Sequence, residues 1–247
     1  MKPVLIATPR TGSTVIGEYL TGLARQWWGC KGWLNEYFAV NQNLITRAKI
    51  IQDRVVLEHQ QYVDRPWCAD PAQERLIRKQ FLDNDPNYVL KFLPGQFDSW
   101  TVPWIKEQYT PIFLERRNKT KQLLSWLAAK QVGVWYWHDR ANQPVTNIAY
   151  DEQLAVQLIW CLREYNSIKQ QFADARTIYY EDWLAQGADQ QALIDLLGFD
   201  NKEYVSMQTD SVNTPYEDDP EDMILNDSVW LAAKDRIVTA LETAIKL

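Results

Sequence analysis

A short segment around residue 10 carries residue types that could bind an anion. Residues 8–14 read Thr-Pro-Arg-Thr-Gly-Ser-Thr, follow the apolar run Val4-Leu5-Ile6-Ala7 and open a helical pattern. The first backbone N–H groups of a helix lack partners within the helix and lie at the positive end of its dipole, so a phosphate binds there readily. Gly12 lets the backbone approach such an anion closely. The expected ligands are the Arg10 side chain and the neighbouring backbone N–H groups, those of Thr11, Gly12, Ser13 and Thr14.

The same segment departs from the phosphate loop of nucleoside triphosphatases. Ala7 stands where the first glycine of that loop belongs, and Ser13 replaces its lysine. The cation is Arg10 instead, two residues before Gly12. A loop without the lysine is poorly suited to ATP. Taken alone, the segment is also compatible with an ordinary turn in which Ser13 or Thr14 caps a helix.

A second basic segment follows an apolar run that predicts a strand over residues 111–115. Residues 116–121 contain four cations in a chain whose net charge is −6. The pattern puts Arg117 at the end of the strand and Ser125 about two turns into the following helix. A guanidinium and a hydroxyl so arranged could converge on one phosphate, although the segment alone favours a solvated basic helix face.

Together the two segments resemble the sulfotransferases that use 3′-phosphoadenosine 5′-phosphosulfate (PAPS). The loop with arginine as its cation is similar to their phosphosulfate-binding loop, and the spacing of Arg117 and Ser125 is that of their 3′-phosphate site. Tyr180-Glu181-Asp182-Trp183 and the segment Leu193 to Phe199 resemble later parts of the same family. The resemblance implies an α/β fold, a P-loop-like three-layer sandwich with a central parallel sheet flanked by helices.

Within that family, Asn35-Glu36-Tyr37-Phe38 and the Trp137-His138 region look most like the bacterial trehalose sulfotransferases and their relatives. This resemblance implies that Glu36 is the general base and, with Arg10, a catalytic residue. A carboxylate in a closed cleft can accept the proton that an acceptor hydroxyl loses as it attacks sulfur. Animal cytosolic sulfotransferases use a histidine after Lys-Thr, and this chain has Lys91-Phe92-Leu93 there. The alternative for Glu36 is a surface carboxylate in an aromatic loop.

Length and composition predict a single α/β domain over residues 1–247. The chain is 46% hydrophobic and can bury a full core, and its predicted strands alternate with helices, which favours a parallel sheet. Helices are expected from Ser13 to about Gly29 and from Asn118 to Lys130, whereas residues 31–40 are predicted to be a loop or short helix. Residues 217–222 form an acidic segment that we expect to be a solvated loop.

Several classes of protein are disfavoured by the sequence. The net charge of −6 argues against extended nucleic-acid binding, and no apolar run is long enough for a membrane span. We expect no signal peptide, because the first strand begins almost at Met1. The cysteines, Cys30, Cys68 and Cys161, have no metal or redox spacing, so we expect free thiols, no bound metal and a cytoplasmic location.

The sequence thus predicts transfer of a sulfuryl group from PAPS to a hydroxyl of a carbohydrate or other small metabolite. Its product would be adenosine 3′,5′-bisphosphate. Two alternatives stay open: a P-loop kinase for a small hydroxyl compound, which would need a loop lysine and a Mg²⁺ carboxylate, and a non-catalytic relative that binds a nucleotide or partner. His59 and His138 are the only histidines, and His138 is the better imidazole candidate. The sequence allows a homodimer without indicating one.

Overall fold

A computed structural model of the chain describes residues 2–34, 36–39, 71–132, 148–187, 190–197 and 228–246. Several positions considered above lie outside the described residues: Asn35, His59, Cys68, the stretch 134–140 with His138, and the acidic segment 217–222.

Within the described residues, five parallel strands form one sheet. Their bounds are β1 Lys2–Ala7, β2 Gly32–Leu34, β3 Tyr88–Phe92, β4 Tyr109–Glu115 and β5 Arg176–Tyr179. The order across the sheet is β2-β3-β1-β4-β5, so the chain returns to pair β3 with one side of β1 and then adds β4 on the other side. The order therefore reverses at β1. Open α/β sheets bind ligands in a crevice next to such a reversal. The loops that follow the neighbouring strands at their carboxyl ends form the walls of this crevice.

Helices cover both faces of the sheet. Their bounds are α1 Ser13–Trp28, α2 Pro71–Asn84, α3 Thr101–Gln108, α4 Lys119–Val132, α5 Glu152–Lys169, α6 Tyr180–Ala185, α7 Gln190–Leu197 and α8 Ser228–Lys246. Successive side chains of a strand point to opposite faces. Leu5 and Val89 accordingly pack with α1, α6 and α7, whereas Ile6 and Leu90 pack with α2, α3 and α5. The structure is a three-layer α/β sandwich with an all-parallel sheet, which confirms the predicted fold class.

Helix α1 follows the loop after β1 and ends where the sequence predicts. Ile16, Leu20 and Leu23 recur at helical spacing and are buried on one face. Gly29 ends the helix in the left-handed region, with φ of 63°, and its N–H donates to carbonyls of the last turn. The helix therefore presents its N-terminus, with Ser13, directly at the carboxyl end of the sheet.

Helix α4 belongs to a second cluster of buried residues. Its apolar residues, including Leu123 and Leu127, pack with Leu158 of α5 and Leu241 of α8. The side of α4 that does not pack on α5 and α8 therefore faces the loop after β1.

The prediction for residues 31–40 is wrong in part. Gly32–Leu34 form the edge strand β2, with Leu34 opposite Leu90 of β3. Three residues are too few for an alternating pattern to appear, and the strand is defined by its pairing with β3. The expected non-strand structure begins after it, where a turn over Glu36 to Phe38 is closed by the Ala39 N–H donating to the Glu36 carbonyl at 3.0 Å.

Other features of the described residues bear on the class of protein. None of the helices among them combines the length and apolarity that crossing a bilayer requires. Cys30 and Cys161 are free thiols, and burial raises the pKa of each.

Candidate functional site

The loop after β1 has an unusual backbone. Arg10 and Gly12 both lie in the left-handed region, with φ of 64° and 76°. The Thr11 hydroxyl donates to the Thr8 carbonyl at 2.9 Å and is fully buried, which closes the loop on itself. A Cβ atom at Gly12 would lie 2.3 Å from the ring of Tyr180. The space that the glycine leaves is therefore used by an aromatic ring at the start of α6.

The N-terminus of α1 differs from those of α4 and α5. Gly12 precedes α1 without a side-chain cap, and the first turn contains no acidic residue. Asn118 Oδ1 accepts the Lys121 N–H at 2.8 Å on α4, and Asp151 caps α5 through the Leu154 N–H. Of these three helices, α1 is the one whose first turn lacks a capping side chain, and an anionic ligand would suit that position.

Arg10 and Ser125 meet, although 115 positions separate them in the sequence. Arg10 Nε donates to Ser125 Oγ at 2.9 Å. Ser125 lies on the buried face of α4, two turns from its start, and is 6% exposed. Two of the residues that the sequence analysis assigned to separate phosphate groups therefore occupy one site.

Gln122 binds the loop from the same face of α4. Its Nε2 atom donates to Thr8 Oγ1 at 2.9 Å and to the Pro9 carbonyl at 2.7 Å, and the residue is fully buried. The sequence analysis missed this residue. The sequence did contain a signal for it, an amide side chain directly before the apolar pair Leu123-Leu124. An amide that is buried with such a pair needs hydrogen-bond partners, which points to a contact with another segment.

The guanidinium of Arg117 lies against acidic residues of α6. It pairs with both carboxylate oxygens of Asp182, at 2.7 Å from Nη2 to Oδ2, and lies 4.0 Å above the ring of Tyr179. The hydrogen bond from Arg117 lowers the pKa of the Asp182 carboxyl. The Glu181 carboxylate accepts the backbone N–H groups of Arg117 and Asn118, each at 3.0 Å. The assignment of Arg117 to a phosphate stays a prediction.

The preceding arginine contacts the loop after β1. Arg116 Nη1 donates to the Arg10 carbonyl at 3.2 Å, and its guanidinium lies 5.7 Å from the centre of the Tyr180 ring. The sequence analysis counted Arg116 among the cations and gave it no role.

Glu36 follows the edge strand β2 and pairs with Lys91, near the carboxyl end of the neighbouring strand β3. Its carboxylate pairs with Lys91 Nζ at 3.1 Å, and the two side chains are 21% and 4% exposed. Glu36 has φ of 53°, so Arg10 and Glu36 are the two non-glycine residues with positive φ in the described part of the chain. Strain of this kind persists where surrounding contacts enforce it, and it is often associated with functional positions.

Contacts around Glu36 hold the turn in place. Tyr37 and Phe38 are buried in the core beneath the sheet, and the Phe38 ring stacks on Phe92 with centroids 4.8 Å apart. Arg78 of α2 is 2% exposed and donates to the Tyr37 carbonyl. The residues that follow Glu36 are therefore anchored in the core, which favours a fixed carboxylate over a mobile surface group.

The loop after β1 and the partly exposed Glu36–Lys91 ion pair both lie at the carboxyl edge of the sheet, where β1 and β3 are neighbouring strands. Among the described residues, no cluster of three or more His, Cys, Asp and Glu side chains could hold a metal ion. In comparisons with known proteins, no family model and no curated protein matches the chain.

Proposed function

We propose that this protein transfers a sulfuryl group from PAPS to a hydroxyl of a carbohydrate or another small metabolite. The observation that carries the proposal is the 2.9 Å hydrogen bond between Arg10 and Ser125. It joins the two segments whose combination resembles the sulfotransferases, and β1 and β4 bring them together as neighbouring strands. A chance match of two short patterns would not require their residues to share a site.

The residues at the loop suit a phosphosulfate. The α1 N-terminus is without a side-chain cap, and Arg10 adds a guanidinium beside it. Such donors bind oxyanions and offset charge that develops on a leaving oxygen. In this proposal, Arg10 and the backbone N–H groups of residues 11–14 hold the phosphosulfate, and Ser125 with an arginine at the end of β4 holds the 3′-phosphate. When bound, PAPS supplies the sulfuryl group and leaves as adenosine 3′,5′-bisphosphate.

Glu36 acts in this proposal as the general base. As the acceptor oxygen forms its bond to sulfur and the bond from sulfur to the bridging oxygen breaks, the hydroxyl proton passes to the Glu36 carboxylate. Lys91 orients this carboxylate through their 3.1 Å ion pair. The contacts of Tyr37 and Phe38 hold the turn that carries this carboxylate.

Ligand binding tests the first half of the proposal. A thermal-shift titration compares adenosine 3′,5′-bisphosphate with ATP plus Mg²⁺, because a ligand that binds only the folded state raises its stability. We expect stabilisation by the bisphosphate and little by ATP plus Mg²⁺. Stabilisation by ATP plus Mg²⁺ alone would replace the proposal with the kinase alternative, and a response to neither would replace it with a non-catalytic one.

A transfer assay with Glu36→Gln tests the second half. We expect the rate with PAPS and a panel of sugar acceptors to fall by roughly 100-fold or more, as is typical for loss of a general base. The affinity for adenosine 3′,5′-bisphosphate should be retained. Glu107→Gln, an exposed carboxylate on α3, is the matched control and should keep full activity. An unchanged rate in Glu36→Gln would remove Glu36 from the mechanism.

A further inference from the structure

Arg116 and Arg117 follow β4 directly, yet they contact different groups. Leu114 packs in the core on the α1 side of the sheet, and Glu115 pairs with Lys169 of α5 on the other side, at 2.6 Å. Continuing this alternation by one residue turns Arg116 toward the α1 side. The loop after β1 and Tyr180 lie there, and Arg116 contacts both.

Arg117 is instead bound by the chain's own acidic residues. Both oxygens of Asp182 receive its guanidinium, and half of the Arg117 side chain is exposed. Paired geometry of this kind fixes the orientation of the guanidinium relative to the carboxylate. A phosphate that used Arg117 would share this guanidinium with Asp182, whose negative charge opposes a second anion there.

The anion position at the start of α4 is occupied in the same way. The Glu181 carboxylate receives the N–H groups of Arg117 and Asn118 at 3.0 Å each. Asp182 and Glu181 thus accept hydrogen bonds from donors that Arg117 and the start of α4 would otherwise offer to an anionic ligand.

We infer that Arg116, and not Arg117, provides the second guanidinium of the anion site and binds the 3′-phosphate of the nucleotide together with Ser125. This inference rests on the proposed function. Ser125, Arg10 and Arg116 form a continuous series, since Arg10 Nε contacts Ser125 Oγ and Arg116 Nη1 contacts the Arg10 carbonyl. Arg117 has a positioning role: with Asp182 it anchors α6, which carries Tyr180 against Gly12.

The test compares two nucleotides that differ by one phosphate, adenosine 3′,5′-bisphosphate and AMP. Their dissociation constants are measured by calorimetry for the wild type, Arg116→Ala and Arg117→Ala. Arg236→Ala, which removes an exposed arginine paired with Glu152 on α5, is the matched control. We expect Arg116→Ala to lose at least about tenfold of the preference for the bisphosphate, the loss typical of one charged hydrogen bond, while AMP binding changes little. Arg117→Ala and Arg236→Ala should keep the preference.

Other outcomes overturn the inference. Loss of the preference in Arg117→Ala with its retention in Arg116→Ala would restore the assignment by spacing, and equal losses in both variants would also reject a distinct role for Arg116. If Arg116→Ala fails to fold, Arg116→Lys replaces it in the test. Lysine keeps the positive charge but lacks the paired N–H donors of the guanidinium. This variant should lose an intermediate part of the preference, and a full preference in Arg116→Lys would overturn the inference. A wild type without any preference for the bisphosphate would instead reject the proposed function itself.

Discussion

Arg10 and Glu36 hold left-handed backbone conformations that most residues avoid. For an L-residue this conformation costs about 1–2 kcal/mol, so other contacts must enforce it. Hydrogen bonds from Gln122 to the Pro9 carbonyl and from Arg116 to the Arg10 carbonyl enforce the conformation of Arg10. The buried ring of Tyr37 and the ion pair with Lys91 enforce that of Glu36. The strain is thus concentrated at the two side chains to which the proposed reaction gives a chemical role.

Gly12→Ala tests the close approach of Tyr180 to the loop. The added Cβ would lie 2.3 Å from the ring, so we expect a loss in unfolding free energy of about 2–4 kcal/mol, the sum of backbone strain and overpacking. Gly29→Ala is the control, because Gly29 has φ of 63° and open space at its Cβ position. Gly29→Ala should lose only the part of the unfolding free energy that comes from backbone strain, about 1–2 kcal/mol. Urea denaturation measures both, and equal losses would contradict the role of Tyr180.

At the scale of elements, α4 organises the site. Gln122 and Ser125 are three positions apart and therefore lie on one face of the helix, where they contact Pro9 and Arg10 of the loop. The other face packs on α5 and α8. Because the helix is held from behind, it can fix the loop whose N–H groups and arginine would bind the anion.

Gln122→Leu tests this coupling between α4 and the loop. The change keeps a similar volume and removes the donor for Thr8 and the Pro9 carbonyl, so we expect a loss of about 1–3 kcal/mol in unfolding free energy. Affinity for adenosine 3′,5′-bisphosphate should also fall. Gln131→Leu is the matched control, since Gln131 lies on the same helix and makes two bonds to Ala149 in an exposed position. If both variants lost the same stability and kept ligand affinity, the coupling would be refuted.

At the scale of the whole molecule, a chain of net charge −6 gathers basic groups at the carboxyl edge of its sheet. Lys119 is the most buried of the four basic residues that follow β4. Its side chain is 7% exposed and donates a hydrogen bond to the Arg116 carbonyl. Desolvation by burial lowers the pKa of Lys119 to about 8, against the attraction of Glu115 and Glu181. This amine should therefore contribute to the pH dependence of the stability of the molecule.

The sign of that dependence follows from proton binding. Between about pH 8 and the usual pKa of 10.5, the unfolded chain holds the Lys119 proton more tightly than the folded one, so stability rises with pH. The full shift corresponds to about 3 kcal/mol. Lys119→Met removes this term. Urea denaturation at pH 7.5 and pH 10 should show the wild type gaining stability relative to Lys119→Met, and a constant difference would mean that Lys119 is not desolvated.

Local patterns were sufficient for most elements. The apolar run before Thr8, the helical stripe of α1 and the strand before Arg116 all occur within a few residues of their predicted positions. Each depends on contacts between near neighbours in sequence, which periodicity and capping residues record. β2 was missed because three residues show no periodicity, and its existence depends on β3.

The sequence by itself determined the alternation of strands and helices, the loop chemistry of residues 8–14 and the basic character of residues 116–121. Only the tertiary structure decided which of those side chains meet. The pairing of β4 with β1 brings Ser125 to Arg10, and the pairing of β5 with β4 brings Asp182 to Arg117. Spacing along the chain cannot rank Arg116 against Arg117, because adjacent residues at a strand end point in opposite directions and their partners come from distant segments.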